Sequence, residues 1–119
     1  MDDSQARKFQ KDLNAGLVAL VLLAVLERST EDLYGYEIAK RLQRANEGEA
    51  LFKEGTIYPV LRALVAAGLL TSRVVPSYAG PARRYYRITD EGRAMLGQWS
   101  HIWRQTRGFV DRFIAGTDS

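Results

Sequence analysis

The sequence contains no cysteine and only one histidine, His101. Without cysteine, neither a disulfide framework nor a thiolate metal site is possible, and thiol redox chemistry is excluded. The chain also lacks the GxSxG, HExxH and glycine-rich phosphate-loop patterns that carry catalysis in many enzymes. Because no nucleophile, base and orienting group come together, we expect a protein that is not an enzyme and uses no metal or cofactor.

Long hydrophobic runs are also scarce, and the one strongly apolar segment is GLVALVLLAVL, Gly16 to Leu26. Basic residues precede it, as in a signal peptide, but it is shorter than the roughly 20 apolar residues that span a bilayer. No small-residue cleavage pattern follows, since the run continues directly into Glu27 and Arg28. We favour a buried core or interface helix in a cytoplasmic protein without membrane attachment.

Neither sign of charge dominates the chain, with 17 basic and 14 acidic residues and a formal net charge of +3. That excess is too small to identify a nucleic-acid binder from composition alone. The basic residues are concentrated in the middle, however, where residues 34–93 carry ten Lys and Arg against six Asp and Glu. At 119 residues we expect a single domain, 1–119, whose positive surface lies in its central part.

The pattern of the first half of the chain predicts three helices. After a polar start that we expect to fray, the first helix runs from about residue 6 or 9 to residue 26. A polar turn follows, in which Ser29, Thr30 and Asp32 are candidate caps. The second helix begins close to Tyr34 and ends at residues 46–48, because Asn46-Glu47-Gly48 supplies a stop signal.

The third helix is predicted in EGTIYPVLRALVAAGLL, residues 54–70. Its start is expected near Gly55, because Pro59 is tolerated best in the first turn, and Gly68 is its stop signal. Apolar positions share one stripe at 100° per residue: Ile57, Val60, Leu61, Leu64 and Gly68. The opposite stripe is formed by small, rigid or hydrogen-bonding residues: Gly55, Tyr58, Pro59, Arg62 and Ala66. Such a stripe is typical of a docking surface more than of a routine solvated face.

After Gly68 the pattern changes from helical to extended. The runs LLTSRVV and RRYYRIT are β-branched and aromatic, and PSYAGPA joins them, which predicts a two-stranded antiparallel hairpin. Thr89 or Asp90 then caps a last helix of about 25 residues. Its apolar stripe contains Met95, Leu96, Trp99, Ile102, Trp103, Phe109, Val110 and Phe113. His101 lies off that stripe and is expected in solvent.

The order helix, helix, helix, hairpin, helix predicts a mainly α fold with a small β-hairpin, a winged helix-turn-helix. Its core would span 9–89, with the wing at about 69–89 and a dimerisation helix at 90–115. The third helix would enter a DNA major groove, where Tyr58 and Arg62 reach phosphates and base edges. Gly55 and Thr56 would offer free N–H groups to a phosphate.

Three segments, YGYEIAKRL, GTIYPVLRALVAAGLL and GPARRYYRITDEG, closely resemble PadR-type transcriptional regulators, and the single terminal helix resembles their compact subgroup. The likeness covers Leu13 to about Phe113. It implies a homodimer that represses transcription at a palindromic operator in double-stranded DNA, often relieved by a small molecule. It also implies DNA contacts by seven residues: Tyr36, Lys40, Thr56, Tyr58, Arg62, Arg83 and Arg84.

Ordinary structural roles remain open for several of these residues. Tyr34 shares a face with Ile38 and Leu42 and is interpreted as a packing aromatic, whereas Tyr36 lies off that face. Lys40 would be solvated by default, and Arg83 and Arg84 are equally consistent with protection of a sheet edge. A winged-helix module that binds protein instead of DNA is the rival function, and the central positive charge argues against it.

The first and last helices are expected to form the dimer interface. Its candidate residues are apolar: Leu17, Leu20, Trp99, Trp103, Phe109 and Phe113. In small PadR-type multidrug sensors a tryptophan of the last helix from each subunit sandwiches planar aromatic compounds, and the likeness places Trp103 at that position. Trp99 is an additional tryptophan, which would either line the pore or fill it. Simple packing of both tryptophans is the alternative.

Overall fold

The computed structural model describes residues 3–46 and 52–116. The chain folds in the order α1 (Ser4–Arg28), β1 (Leu33–Tyr34), α2 (Gly35–Ala45), α3 (Glu54–Ala66), β2 (Leu70–Val75), β3 (Arg83–Ile88) and α4 (Asp90–Ala115). The predicted winged helix-turn-helix order is therefore confirmed, with one short strand added between the first two helices. Of the predicted end of the second helix, Glu47 and Gly48 lie outside the described residues.

Helix α1 is longer at both ends than predicted. Its polar start is helical instead of frayed, and side-chain pairs four residues apart support this turn. The Nζ of Lys8 lies 2.9 Å from a carboxylate oxygen of Asp12, and the Gln10 amide donates to Asn14 at 2.7 Å. By length and composition alone, α1 could also cross a membrane. Four of its apolar side chains are buried in the core of this fold: Val18, Leu22, Leu23 and Leu26.

The prediction that Ser29, Thr30 or Asp32 caps the second helix is wrong. The N-cap is Tyr34, in an extended conformation, and its N–H donates to Glu37 Oε1 at 3.2 Å. The reason is the unpredicted strand β1: pairing with β3 keeps the chain extended through Tyr34, so α2 cannot begin earlier. The side chain of Asp32 is therefore available for a different role.

Helix α3 begins at Glu54, and Pro59 consequently lies inside it, beyond the first turn. Proline has no N–H to donate to the carbonyl of Gly55, so the early part of the helix lacks one backbone hydrogen bond. The predicted stop is confirmed: α3 ends at Ala66, and Gly68 adopts a left-handed φ of 79°. The N–H of Leu69 then donates to the carbonyl of Leu64 at 3.0 Å, which closes the turn.

The sheet has three strands in the order β1-β3-β2, where the sequence predicted two. The hairpin pairs Leu70 with Ile88 at its base and Val75 with Arg83 near its tip. Since side chains alternate between the faces of a strand, the hairpin has an inner and an outer face. The inner face buries Leu70, Tyr86 and Ile88 against the helices.

One hydrophobic core joins the helices to the inner face of the sheet. Its most completely buried large side chains come from most elements: Leu22, Leu23, Leu33, Ile38, Ile57, Leu61 and Leu70. The last helix is attached at Thr89, whose hydroxyl accepts from the N–H of Gly92 at 2.9 Å and donates to the carbonyl of Gly68 at 2.8 Å. The predicted cap is thus confirmed, and it also connects α4 to the end of α3.

Candidate nucleic-acid interface

The surface of α3 that faces away from the core is narrow and carries little bulk. Its exposed residues follow helical spacing: Gly55, Thr56, Pro59, Arg62, Ala63 and Ala66. Ile57, Leu61 and Leu64 are buried on the other side. The burial of α3 therefore follows the predicted stripes except at Tyr58, which is half-buried, and Gly68, which is exposed. Arg62 is the one long cationic side chain on the exposed side.

The expectation of a free N–H at Thr56 is wrong. This N–H donates to the carbonyl of Lys53 at 2.9 Å, because the chain forms a tight turn as it enters the helix. The exposed Thr56 side chain remains available at the helix start. Any anion contact at this position is therefore expected to use the hydroxyl and not the backbone.

Tyr58 belongs less to the exposed stripe than its position in the sequence suggests. Its ring is half-buried and packs against Gly35 at the start of α2. A Cβ atom at position 35 would overlap the ring of Tyr58, so glycine is the residue that allows α2 and α3 to approach here. Burial, followed by the charge of Glu54, raises the pKa of Tyr58. Its hydroxyl therefore stays protonated at neutral pH and can donate.

A cleft of about 340 Å³ separates the exposed part of α3 from the wing. Its walls are rich in tyrosine and arginine: Tyr34, Gly35, Tyr58, Arg62, Ala82, Arg83, Arg84 and Tyr86. Among the described residues, none of its three arginines forms a salt bridge with a carboxylate. Three guanidinium groups without acidic partners make this cleft a site suited to anions such as phosphate.

Arg83 and Arg84 lie on opposite faces of the wing because side chains alternate along β3. Arg84 lies on the inner face, where its guanidinium donates to the hydroxyl of Ser72 at 3.0 Å. The neighbouring hydroxyl of Tyr86 has a pKa that burial raises and that Arg84 and Arg62 partly lower. Arg84 therefore faces α3 across the cleft and is separated from Arg83, although the family resemblance gave both arginines the same role.

The outer face of the wing continues into α2 through stacked aromatic rings. Arg83 lies over the ring of Tyr34 at 4.7 Å, and the Tyr34 and Tyr36 rings stack with centroids 6.2 Å apart. Lys40 lies 5.3 Å from the Tyr36 centroid. Tyr36 is 49% exposed, as predicted for a residue off the packing stripe. Cation–π contacts and ring stacking through Tyr34 therefore connect three of the candidate DNA contacts: Tyr36, Lys40 and Arg83.

Sequence reasoning missed Asp32, which lies at the base of the same face. Its carboxylate accepts from Arg87 Nε at 2.8 Å and from Arg73 Nε at 3.0 Å. Hydrogen bonds from Arg87 and then Arg73 hold the pKa of Asp32 below its usual range, against the opposing effect of burial. The two arginines are 41 and 55 residues away in sequence, so local pattern carries no signal for the cluster.

A second candidate site lies between α1 and α4. This interhelical groove has a volume of about 430 Å³ and mostly apolar walls: Asp12, Leu13, Gly16, Leu17, Ala19, Leu20, Trp99, Ile102, Trp103 and Thr106. Both candidate tryptophans line it, and Trp99 also packs against the core. Leu17 and Leu20, expected at a dimer interface, are half-buried in the same groove.

The ends of α1 and α4 leave large apolar side chains in solvent. Exposed examples are Phe9, Leu13, Ile102, Phe109, Val110, Phe113 and Ile114. Phe109 and Phe113 lie against each other with centroids 4.9 Å apart, and Phe113 is 70% exposed. His101 is exposed as expected. A row of apolar residues this large is typical of a protein interface.

The family model of the PadR-like transcriptional regulators matches residues 22–98, from the core of α1 through the wing into α4. The chain belongs to the PadR-like family. The protein is accordingly a DNA-binding transcriptional regulator with a winged helix fold. The matched segment contains the cleft, the stacked tyrosines and Asp32, whereas Phe109 and Phe113 lie beyond it.

Solved structures similar to this PadR-like chain agree with the family match. A transcriptional regulator from Clostridium thermocellum is 30% identical, with a TM-score of 0.77 over 87% of this chain and 95% of that one. A PadR-family regulator from Eggerthella lenta is 29% identical, with a TM-score of 0.75 over 94% of each chain. A protein of Lysinibacillus sphaericus is 29% identical over 102 residues, 86% of this chain and 91% of its own.

One similar structure contains nucleic acid. Bacillus subtilis PadR in complex with operator DNA is 25% identical, with a TM-score of 0.62 over 70% of this chain. The PadR-like chain described here spans 45% of that protein. The two proteins share the winged helix fold.

Proposed function

We propose that the protein is a homodimeric repressor that binds a palindromic operator in double-stranded DNA and releases it when a planar aromatic effector binds. The observation that carries the DNA-binding part is the cleft between the exposed face of α3 and the wing, because Arg62, Arg83 and Arg84 line it and none of them forms a salt bridge with a carboxylate among the described residues. Backbone phosphates are the anions that such a cleft suits, and Arg62, exposed on α3, is the side chain that would reach base edges. We also propose that the protein acts in the cytoplasm, as PadR-like transcription regulators do.

The proposed homodimer accounts for the apolar row on α1 and α4. A second copy would cover these side chains across a two-fold axis, since each copy presents the same surface. The two α3 helices would then read half-sites about one helical turn, roughly 10 base pairs, apart. Phe109 and Phe113 are the proposed anchors, and Leu17, Leu20, Trp99 and Trp103 would lie at the edge of the interface, around the groove.

The proposed effector site is the interhelical groove. Indole rings attract planar aromatic and cationic compounds, and apolar walls favour their burial. A compound between the terminal helices would change the angle between subunits and hence the spacing of the two α3 helices. Effector and operator would then weaken each other's binding by the same factor.

The test is binding to the DNA upstream of the protein's own gene, measured by fluorescence anisotropy over a range of salt concentrations. We expect tighter binding to that duplex than to a mixed sequence, with affinity falling steeply as salt rises. A matched control is a mixed-sequence duplex of identical length and base composition. Binding to neither duplex would contradict the proposal and favour the protein-interaction module. Equal binding to both duplexes would contradict the proposal that the upstream DNA contains the operator.

A further inference from the structure

Asp32 is held more firmly than any other carboxylate whose salt bridges the structure describes. Its side chain is 10% exposed, whereas the other salt-bridged carboxylates range from 41% to 97%. Two guanidinium groups, from Arg73 on β2 and Arg87 on β3, donate to its two oxygens. The carboxylate therefore spans the two strands of the wing from the loop that follows α1.

Contacts continue from this carboxylate to a candidate DNA contact. The guanidinium of Arg73 lies 5.2 Å from the centroid of the Tyr85 ring. The Tyr85 ring packs against Tyr34 with centroids 5.5 Å apart, and Arg83 lies over Tyr34 at 4.7 Å. Strand pairing places Arg73 opposite Tyr85, and Tyr85 opposite Tyr34. All these side chains lie on the outer face of the sheet.

We infer that Asp32 is a positioning residue for the wing: by holding Arg73 against Tyr85, it keeps Tyr34 and therefore Arg83 in place for a DNA phosphate. This inference rests on the proposed contact between the wing and DNA. Asp32 itself touches no nucleic acid in this arrangement. It acts through the ordered stack of ring and guanidinium planes, each of which has a narrow range of favourable geometry.

If Asp32 positions the wing, loss of its carboxylate should weaken DNA binding. If only its charge matters, the same loss should strengthen DNA binding. Removing a negative charge near a basic surface strengthens attraction to DNA if charge alone matters. In the positioning model, loss of the Asp32–Arg73 salt bridge instead frees Arg73 and loosens the packing of Tyr85 and Tyr34 beneath Arg83, which weakens DNA binding. Asp32→Asn keeps the volume of the side chain while removing its charge, and the exposed neighbour Glu31 offers the matched control Glu31→Gln.

The first experiment measures the affinity for a labelled mixed-sequence duplex, because a phosphate contact acts on all sequences alike. We expect Asp32→Asn to weaken binding by about threefold to tenfold, in the usual range for coupled neighbours, and Asp32→Glu to restore part of the loss. Glu31→Gln should leave binding unchanged or slightly tighter. In a chain that carries Arg83→Gln, Asp32→Asn should have no further effect. Tighter binding by Asp32→Asn, or a full additional loss in the Arg83→Gln chain, would overturn the inference.

If Asp32→Asn does not fold, a variant that conserves the charge of the wing still tests the inference. Arg73→Lys retains the charge but loses the planar group that bridges Asp32 and Tyr85, so it should weaken binding by a similar factor. Arg104→Lys, on the exposed part of α4, is its control and should bind like wild type. Circular dichroism confirms that each variant is folded. Wild-type binding by Arg73→Lys would overturn the inference.

A second measurement separates this inference from the proposed function. The Arg83 Nε–H resonance in NMR spectra of the free protein reports the stack without any DNA. We expect Asp32→Asn to shift that resonance and Glu31→Gln to leave it in place. If the shift occurs while wild type binds no duplex, the inference that Asp32 positions Arg83 stands, and the proposed contact with DNA fails. An unshifted resonance in a folded Asp32→Asn variant would contradict the positioning role.

Discussion

The wing and the terminal helices present opposite kinds of surface. Around the cleft, the wing carries arginines and tyrosines, and several of the exposed cations there lie against an aromatic ring or a hydroxyl. The outer half of α4 carries large apolar side chains, including Ile102, Phe109 and Phe113, that face solvent in the single chain. The wing is thus organised within one chain, whereas the terminal helices lack a cover that one chain can supply.

This difference indicates which function each region can perform alone. A rigid, cationic and partly aromatic surface suits a polyanion whose phosphates replace water. An apolar row costs free energy in water until another apolar surface covers it. The groove between α1 and α4 lies at the edge of that row, so a compound bound there would also contact the proposed dimer interface.

The largest effect is expected from a charge placed in the apolar row. Phe109→Glu should raise the dimer dissociation constant by about 100-fold or more, because an interface anchor would be replaced by a charge that resists burial. Sedimentation velocity at micromolar concentration measures this change. His101→Glu introduces the same charge on an exposed position of the same helix and should remain dimeric. A wild-type protein that is monomeric and folded would contradict the proposal that a second copy covers the apolar row.

A smaller but still substantial effect is expected at the groove. Planar cationic dyes should quench the tryptophan fluorescence of the wild type, since Trp103 lines the groove. Trp103→Ala should weaken dye binding by about 30-fold or more, as loss of a central aromatic anchor does, while leaving the dimer and DNA binding largely intact. His101→Ala should bind dye normally. Dissociation of the Trp103→Ala dimer, together with no dye binding by wild type, would assign both tryptophans to packing.

Within the wing region, Arg62 and Arg84 are expected to differ in kind. Arg62→Ala should cost about 1–3 kcal/mol of operator affinity and relax the preference at one base pair. Arg84→Ala should weaken all sequences alike and lower the salt slope by about one unit. Anisotropy titrations with the upstream duplex and a mixed sequence separate the two patterns. Arg104→Ala, which removes an arginine from α4 instead, should resemble wild type, and unchanged operator binding by Arg62→Ala would contradict the proposed recognition helix.

The smallest effect is expected at Thr89, where the two regions join. Thr89→Ala removes the hydroxyl that caps α4 and binds the carbonyl of Gly68, and should lower the free energy of unfolding by about 1 kcal/mol. Urea unfolding measures this change. Thr89→Ser keeps the hydroxyl and should lose much less. If Thr89→Ala is as stable as wild type, the junction does not depend on this cap.

Local pattern was sufficient for most elements of the fold. The helical spacing of Ile57, Leu61 and Leu64 predicted the buried side of α3, and the glycine at position 68 predicted its end. Thr89 or Asp90 was expected to cap the last helix from their place before an apolar helical stripe, and Thr89 is the cap. Such features depend on residues a few positions apart, so the sequence contains the information directly.

Local pattern failed where a distant partner decides the structure. Strand β1 has two residues and no periodicity to detect, and it exists because Tyr85 and Tyr86 offer an edge. The half-burial of Tyr58 depends on Gly35 in another helix. Asp32 resembled a helix cap in sequence because its partners, Arg73 and Arg87, are 41 and 55 residues away.

By itself, the sequence determined the order of the elements, the apolar side of each helix and the family, because these depend on local spacing and on segments that are specific as strings of residues. Only the tertiary structure decided which arginines share the cleft, which of them stack on tyrosine, and which carboxylate holds the wing. The physical reason is that a strand turns successive side chains to opposite faces, and that the partners of these side chains come from other elements, 12 residues away for Arg84 and Ser72 and 55 residues away for Arg87 and Asp32.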